Sequence, residues 1–427
     1  MLNTITEFRD PIHGYIFANS NECAIIDTSI FQRLRLIRQL SGTYLTYPGA
    51  QHTRFDHSLG SMHLAGIAGD YFLNKNLIDK ELRNDLRMSA LLHDIGHGPF
   101  SHLIEEVMTE KSNITHEDIA RKVIHNTEIK DILNLQGHDH KRISELAVGL
   151  SKNRSKFVND LMTGGLSVDV MDYLLRDSHF TGVEYGKVDV HRVINSFEIF
   201  EDSLALNQAA QYAFEALVIS RFEMFRAVYF HRTVRAAEIM LIRSISLADD
   251  LLHLTDISDL DRYLALTDEI TLEKLSELET SGNSSFIRAK KLAMDYKSRK
   301  LLKCVFEKPV HRKDLFLDRI FNQKKFRTSI AHEIAADADV EPEDVYLDVP
   351  TTPSVPLTSS HNDLSSIVLV SKEYGNLNFQ RIPVTDIPLL SSISGYFNVM
   401  RVYTTSEHRN EVERATKKFF DNEEYSK

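Results

Sequence analysis

The stretch His93-Asp94-Ile95-Gly96-His97-Gly98-Pro99-Phe100-Ser101-His102 constrains this chain more than any other. Histidine and aspartate stand side by side, so one neutral nitrogen and one anionic oxygen can reach the same cation. Two more histidines follow, and Gly96, Gly98 and Pro99 let the backbone turn sharply between them. A fold that uses these groups must bring further donors from distant parts of the chain to this one place. The chemistry they suggest is metal-assisted hydrolysis.

The other candidates sit on predicted helices. Thr53 can cap a helix, and Asp56 three residues on is close to a capping-box arrangement. That places Arg54 and His57 in a first turn, where the helix end carries partial positive charge. A helix over about 80–95 runs Leu82, Leu86 and Ala90 along one face toward His93, and Pro99 follows as a stop. A helix-like run over 157–175 leads to Asp169, Tyr173 and Asp177, four apart on one face. The longest pattern covers about 211–252, with Phe214, Leu217, Phe225 and Val228 marking its packing side. Helical patterns continue to about 305.

Nearer the N-terminus, Asp10-Pro11-Ile12-His13-Gly14 is turn chemistry beside the strand-like Tyr15-Ile16-Phe17. Residues 31–40 have helical spacing. The 341–362 stretch holds Pro342, Pro350, Pro353 and Pro356 and reads as an extended connection. Strands are expected over 363–370, 378–384 and 400–403, and a charged helix over 406–421. The expected fold is mainly α, a helical core with a smaller α+β C-terminal region. Its divisions are 1–50, 51–340 and 341–427.

At 427 residues the chain is long enough for two or three structural units. Its net charge of −11 disfavours broad binding to nucleic acid or to an anionic membrane. A local basic pocket for a phosphorylated small molecule stays open. Cys23 and Cys304 are the only cysteines, so no disulfide framework is implied and a reducing cytoplasm is the default. The first ten residues lack a signal pattern, and no apolar run approaches the ~20 residues of a membrane span.

His57, His93, Asp94 and Asp169 make a mixed nitrogen and oxygen set. It suits Mn, Fe, Co, Ni or Zn better than Ca, which prefers oxygen alone. The bland reading of each residue is a structural core or helix-end group. His97, His102 and His116 offer proton transfer, with Glu105 placed to hold the tautomer of His102. Arg54, Arg221 and Arg232 can bind phosphate oxygens bidentately; Arg54, in the helix turn of His57, is the best of them, and Arg221 and Arg232 have an ordinary alternative as solvated helix charges. Tyr173 can stack under a sugar. Asp177 can accept from a hydroxyl, or pair with an arginine.

The quartet His57…His93-Asp94…Asp169 resembles the H…HD…D signature of the HD-domain phosphohydrolase superfamily. Phe8-Arg9-Asp10-Pro11-Ile12-His13-Gly14, Ile25 to Arg35, and Tyr47 through Gly60 resemble its deoxynucleoside triphosphate triphosphohydrolase branch. So do Asp169-Val170-Met171-Asp172-Tyr173, Arg176-Asp177 and Tyr229-Phe230-His231-Arg232. Leu389-Leu390 and Met400-Arg401-Val402-Tyr403 resemble it weakly. The chain is expected to lack the SAM domain that some members carry.

The resemblance implies cleavage of a dNTP to deoxynucleoside and triphosphate, with the quartet as metal ligands and Mg on the nucleotide phosphates. It assigns Arg54, His97, His102 and His116 to phosphate binding or proton transfer, with His102 as the acid beside Glu105. Gln39, Leu40, Tyr173, Asp177 and Tyr229 match sugar-binding positions, and Arg221 a further substrate-pocket arginine. Leu40 and Tyr229 would leave no space for a 2′-hydroxyl. Asp27, Gln32 and Arg35 match a separate regulatory site for dGTP or GTP between the subunits of a homotetramer or dimer. Val170 stands in place of a phosphate-contacting lysine, Glu105 of an aspartate, and Thr6 and Glu7 of a lysine and a valine at the activating site. Two other readings stand beside this one: an HD phosphatase or phosphodiesterase acting on another nucleotide, and a non-catalytic nucleotide- or nucleic-acid-binding scaffold.

Overall fold

In the computed structural model, residues 6–152, 155–311, 323–349, 366–373, 376–383, 387–389 and 396–421 are described. The Thr53–Asp56 capping box starts helix α1, Arg54–Asn74, with the Thr53 backbone N–H and hydroxyl both donating to Asp56 Oδ2 at 2.9 Å. Helix α1 is buried on most of its circumference. Phe55, Leu59 and Met62 enter one hydrophobic core, and Leu64, Ala65, Ala68 and Phe72 enter a second. Helix α2, Lys80–Leu92, is capped by Asp79 and divides itself the same way: Met88, Leu91 and Leu92 face the first core, Leu82, Leu86 and Ala90 the second. The two helices therefore form a shared wall. Helices α3, His102–Ser112, and α4, His116–Asn126, pack into the first core, and α5, Val168–Thr181, into the second.

The expected fold class stands: a mainly helical protein with a small α+β C-terminal region. Several expected helices are broken. The 31–40 run is helical only through Ser29–Gln32 and a tighter turn at Arg33–Leu36. After it, the extended backbone pairs across the chain, with Arg54 N–H donating to Ile37 O and Gln39 N–H to His52 O. The 157–175 run is two helices, Lys156–Thr163 and α5, because Gly164 and Gly165 interrupt it and Ser167 caps the next start. The 211–252 run is α6, Gln211–Met224, then a π-helical turn at Phe225–Tyr229, then α7, Arg232–Leu252, restarted by the His231 side chain. The π turn inserts an extra residue, a distortion that often re-aims a side chain.

Strands Thr6–Asp10 and Gly14–Ala18 form an antiparallel N-terminal hairpin. Asp10 Oδ1 shapes its turn by accepting from the N–H groups of Ile12 and His13. Further along, Lys303–His311, Tyr396–Thr404 and Tyr346–Asp348 form a three-stranded sheet covered by helices Lys324–Ala338 and Arg409–Asp421. Ser366–Glu373 and Asn376–Pro383 join Phe197–Phe200 and Ser203–Asn207 in a four-stranded sheet. Both sheets draw on residues before and after 340. Pro350, Pro353, Pro356 and the start of the 363–370 strand lie outside the described residues. Among the described residues, no helix is long and apolar enough to cross a membrane.

His63 of α1 lies beneath the hairpin, its ring 5.0 Å from that of His13. Burial, together with nearby His13, Arg87 and His191, pushes its pKa down to about 4. The unfolded chain therefore binds the proton more readily between that value and the ordinary imidazole value of about 6.5. Stability is fully present above this window and is lost as pH falls through it. Urea midpoints should be lower at about pH 5 than at about pH 7.5, and His63→Gln should narrow that difference.

Candidate metal centre

Three helices converge on one point. Helix α1 brings His57 in its first turn, the end of α2 brings His93 and Asp94, and the first turn of α5 brings Asp169. His57 Nε2 lies 3.0 Å from Asp169 Oδ1 and 3.7 Å from Asp94 Oδ2. His93 Nε2 lies 3.3 Å from Asp94 Oδ1 and 3.8 Å from Asp169 Oδ1. Close as these contacts are, neither buried Nε2 has a hydrogen-bond partner among the described residues. The other ring nitrogens do. His57 Nδ1 donates to Asp172 Oδ2 at 2.8 Å, and His93 Nδ1 to Ala90 O at 2.8 Å. Each ring is thus held with its Nε2 turned toward Asp94 and Asp169, the arrangement of a metal-binding imidazole.

The electrostatics agree. Burial pulls the His57 imidazole down, yet Asp169, Asp172 and Asp94 outweigh it and take its pKa up to about 10. The site demands positive charge, as a proton or as a cation. Burial would raise Asp94, but the Arg54 guanidinium, with His93 and His97, holds its carboxyl well below the usual range. Two imidazoles and two carboxylates fit a divalent transition metal.

Behind the quartet, Asp172 and Arg176 hold the His57 ring in place. Asp172 Oδ1 accepts from His13 Nε2 at 2.7 Å and from Arg176 at 2.9 Å, while Oδ2 accepts from Arg176 Nε at 2.8 Å and from His57. Arg176 Nη1 also donates to Asp10 Oδ2 at 2.7 Å. In the sequence Asp172 and Arg176 stand out only as letters of the motif. Their i,i+4 spacing, one turn beyond Asp169, was the available signal.

On the other side stand His97, His102, Glu105 and His116, whose ligand atoms also form a close group. Glu105 accepts from His102 Nδ1 at 2.9 Å and from His116 Nδ1 at 2.7 Å, as well as from the His116 backbone N–H. Burial opposes its ionisation, but His102 and His116 hold Glu105 far below the ordinary glutamate range. His116 resists its own burial and is raised by Glu105. His97 stacks on His116 with ring centroids 4.0 Å apart. Burial keeps it unprotonated, and Arg54 and His116 add like charge. His102 alone is open, with 67% of its side chain exposed.

Phe100 and Ser101 place His102 through two successive left-handed conformations, φ 56° and 52°. Such backbone persists where surrounding bonds over-determine it. Here Asp268 Oδ1 accepts the Phe100 N–H at 2.7 Å, the Ser41 hydroxyl donates to Phe100 O, and the Ser101 hydroxyl bridges Arg54 Nε and Arg38 O. Arg54, expected at phosphate, is buried with Nη1 on Asp94 Oδ2 at 2.6 Å.

Beyond Asp169, Asp177 accepts from Tyr229 Oη at 2.6 Å and from His52 Nε2 at 2.7 Å, rather than from an arginine. The π turn delivers Tyr229 to this contact. Leu40, Tyr173 and Tyr229 pack against the same core, with Tyr173 and Tyr229 rings 6.5 Å apart. Arg221 interacts electrostatically with both tyrosines, and its buried Nε has no partner among the described residues. Gln39 Oε1 is likewise buried and without a partner there. Asp27 and Arg35 are exposed, and Gln32 Oε1 accepts from Arg35 Nε at 2.8 Å. Thr6, Glu7 and Arg232 are exposed, and Leu390 lies outside the described residues. Val170 is buried in the second core.

Residues 54–177 match the HD domain, and residues 188–427 match the HD associated region. The uncharacterized protein YwfO of Bacillus subtilis is 36% identical over 248 residues, 57% of this chain and 56% of the relative. A deoxynucleoside triphosphate triphosphohydrolase SAMHD1 homolog of Dictyostelium discoideum is 30% identical over 314 residues, 70% of this chain and 59% of the relative. The chain thus spans little more than half the length of these relatives. A solved structure of a hypothetical protein from Aquifex aeolicus superposes with a TM-score of 0.75 at 26% identity, covering 97% of this chain and 100% of that one.

Gly60 of α1 is what lets Asp172 and Arg176 approach. A Cβ there would stand 1.8 Å from Asp172 Oδ1 and 2.4 Å from Arg176 Nη2. Gly60→Ala should lower the denaturation free energy by about 1–3 kcal/mol, measured by urea unfolding. An unchanged midpoint would contradict this packing.

Proposed function

Since the chain belongs to the HD-domain family, with an HD domain followed by an HD associated region, we propose that it is a metal-dependent phosphohydrolase cleaving dNTPs to deoxynucleoside and triphosphate. The observation that carries this reading is the open His102, tied to Glu105, beside the His57, His93 and Asp94 group, with Asp169 Oδ1 3.0 Å from His57 Nε2. His57, His93, Asp94 and Asp169 would hold a divalent cation, which would supply Lewis acidity to a phosphoryl oxygen and lower the pKa of a bound water.

The chain's own groups do the rest. Glu105 keeps Nδ1 of His102 protonated, so Nε2 is the atom that carries and releases the transferable proton. Water adds to the α-phosphorus, the bond from phosphorus to the 5′ oxygen breaks, and His102 protonates that oxygen as it leaves. His116 stabilises the same Glu105 carboxylate, and His97 stacks on His116. Arg54 is committed to Asp94 and Ser101 through Nη1 and Nε, so a phosphate oxygen would be left its remaining guanidinium N–H groups. Tyr229 and Asp177 would bound the sugar side, with Leu40, Gln39, Tyr173 and Arg221 as the further substrate contacts. Tyr229 and Leu40 crowd the place of a 2′-hydroxyl.

The relatives named as deoxynucleoside triphosphate triphosphohydrolases support this substrate class. The proposal extends to a cytoplasmic homotetramer or dimer, and to dGTP or GTP as activator at Asp27, Gln32 and Arg35. The division at 1–50, 51–340 and 341–427 goes with it. Val170 favours a second reading, a phosphatase or phosphodiesterase on another nucleotide, because a buried valine offers no cation to a triphosphate.

Incubation with each dNTP and Mn, Co, Zn, Fe, Ni or Mg, with and without dGTP, separates these readings by product. Deoxynucleoside and triphosphate are expected. Monophosphate with pyrophosphate would contradict the cleavage position. His102→Ala should lower kcat by about 10²–10⁴-fold, the usual worth of a general acid.

A further inference from the structure

The N-terminal hairpin reaches the quartet through buried polar groups rather than through apolar contact alone. Asp10 performs two tasks at once. Its Oδ1 accepts from the Ile12 and His13 N–H groups and so shapes the turn, while its Oδ2 accepts from Arg176 Nη1 at 2.7 Å. The turn it shapes presents His13, whose Nε2 lies 2.7 Å from Asp172 Oδ1. Asp172 is an ionised acceptor, so His13 Nε2–H is the donor. The same carboxylate takes both Arg176 contacts and the His57 Nδ1–H. Its side chain and that of Arg176 are fully buried, and those of His13 and Asp10 are 4% and 8% exposed.

We infer that Asp10 and His13 are positioning residues for the metal centre, holding the Asp172–Arg176 pair so that Asp172 fixes the ring and tautomer of His57. Neither touches the quartet. Each acts through Asp172. Removing His13 leaves one Asp172 lone pair buried and unmatched, and the carboxylate can then turn away from His57. Removing the Asp10 charge loosens Arg176, which grips both Asp172 oxygens. In either case His57 loses the bond that directs its Nε2, and outer-shell losses of this kind typically cost metal affinity. Gly60, which has no side chain to obstruct the pair, is the space this arrangement needs. The inference rests on the quartet holding a divalent cation.

The test titrates cobalt(II) alone into the metal-free full chain, followed by its visible absorbance and by competition with a chelator. Wild type, His13→Leu, His13→Gln and Asp10→Asn are compared. His13→Leu and Asp10→Asn should bind cobalt roughly ten- to a hundredfold more weakly. His13→Gln keeps an N–H donor for Asp172 and should stay near wild type. Circular dichroism and urea midpoints of the metal-free proteins report folding separately. If His13→Leu does not fold, Asp10→Asn decides, because asparagine keeps the oxygen that caps the turn. Wild-type cobalt affinity in folded Asp10→Asn and in any folded His13→Leu would overturn the inference, even if their urea midpoints fell, since that is the pattern of a purely structural role. Wild-type protein that binds no cobalt would remove the quartet reading itself, and this inference with it.

Discussion

The bond from His57 Nδ1 to Asp172 is the contact on which the site depends. It settles which nitrogen of the ring is protonated, and therefore which one faces Asp94 and Asp169. An imidazole free to turn would pair with the nearest acid and neutralise it. Held as it is, the ring brings Nε2 to within 3.0 Å of Asp169 Oδ1, where a proton or a cation fits between them. His93 repeats the device with a backbone carbonyl, Ala90 O, in place of the carboxylate. Three acids facing one buried imidazole make a concentration of negative charge that a cation offsets.

The fold serves that contact by making α1 and α2 the wall between two cores. Both helices are fixed by packing on either side, so the groups at their ends have little freedom to drift. The strained turn at Phe100 and Ser101 adds a second fixed point. Its left-handed residues would relax if Asp268, Ser41, Arg38 and Arg54 did not each hold a backbone or hydroxyl group there. Arg54 joins the two halves, since one guanidinium binds both Asp94 and Ser101. The His57, His93, Asp94 and Asp169 quartet and the Glu105 histidine pair are therefore parts of one arrangement, with His102 left open to solvent at its edge.

Much of this was legible in the sequence where a local rule sufficed. The Thr53 and Asp56 cap located the start of α1 and put His57 in its first turn. The spacing of Leu82, Leu86 and Ala90 led along α2 to His93. His102 and Glu105 met as their i,i+3 spacing implied. What failed was continuity. Periodicity carried the 157–175 and 211–252 patterns across breaks at Gly164 and at the π turn, because apolar spacing says little about backbone bonds. The contact of His13 with Asp172 was not legible, since the two stand 159 residues apart and only the tertiary fold makes them neighbours. Nor was the Phe100–Ser101 strain, because neither residue type favours a left-handed backbone.

The most direct test of the central claim is an X-ray absorption spectrum of the zinc-loaded protein at the zinc edge. This account requires a mixed first shell at about 2.0–2.2 Å, with the multiple scattering of two imidazoles beside oxygen ligands. An all-oxygen shell, or one carrying sulfur from a cysteine, would contradict it.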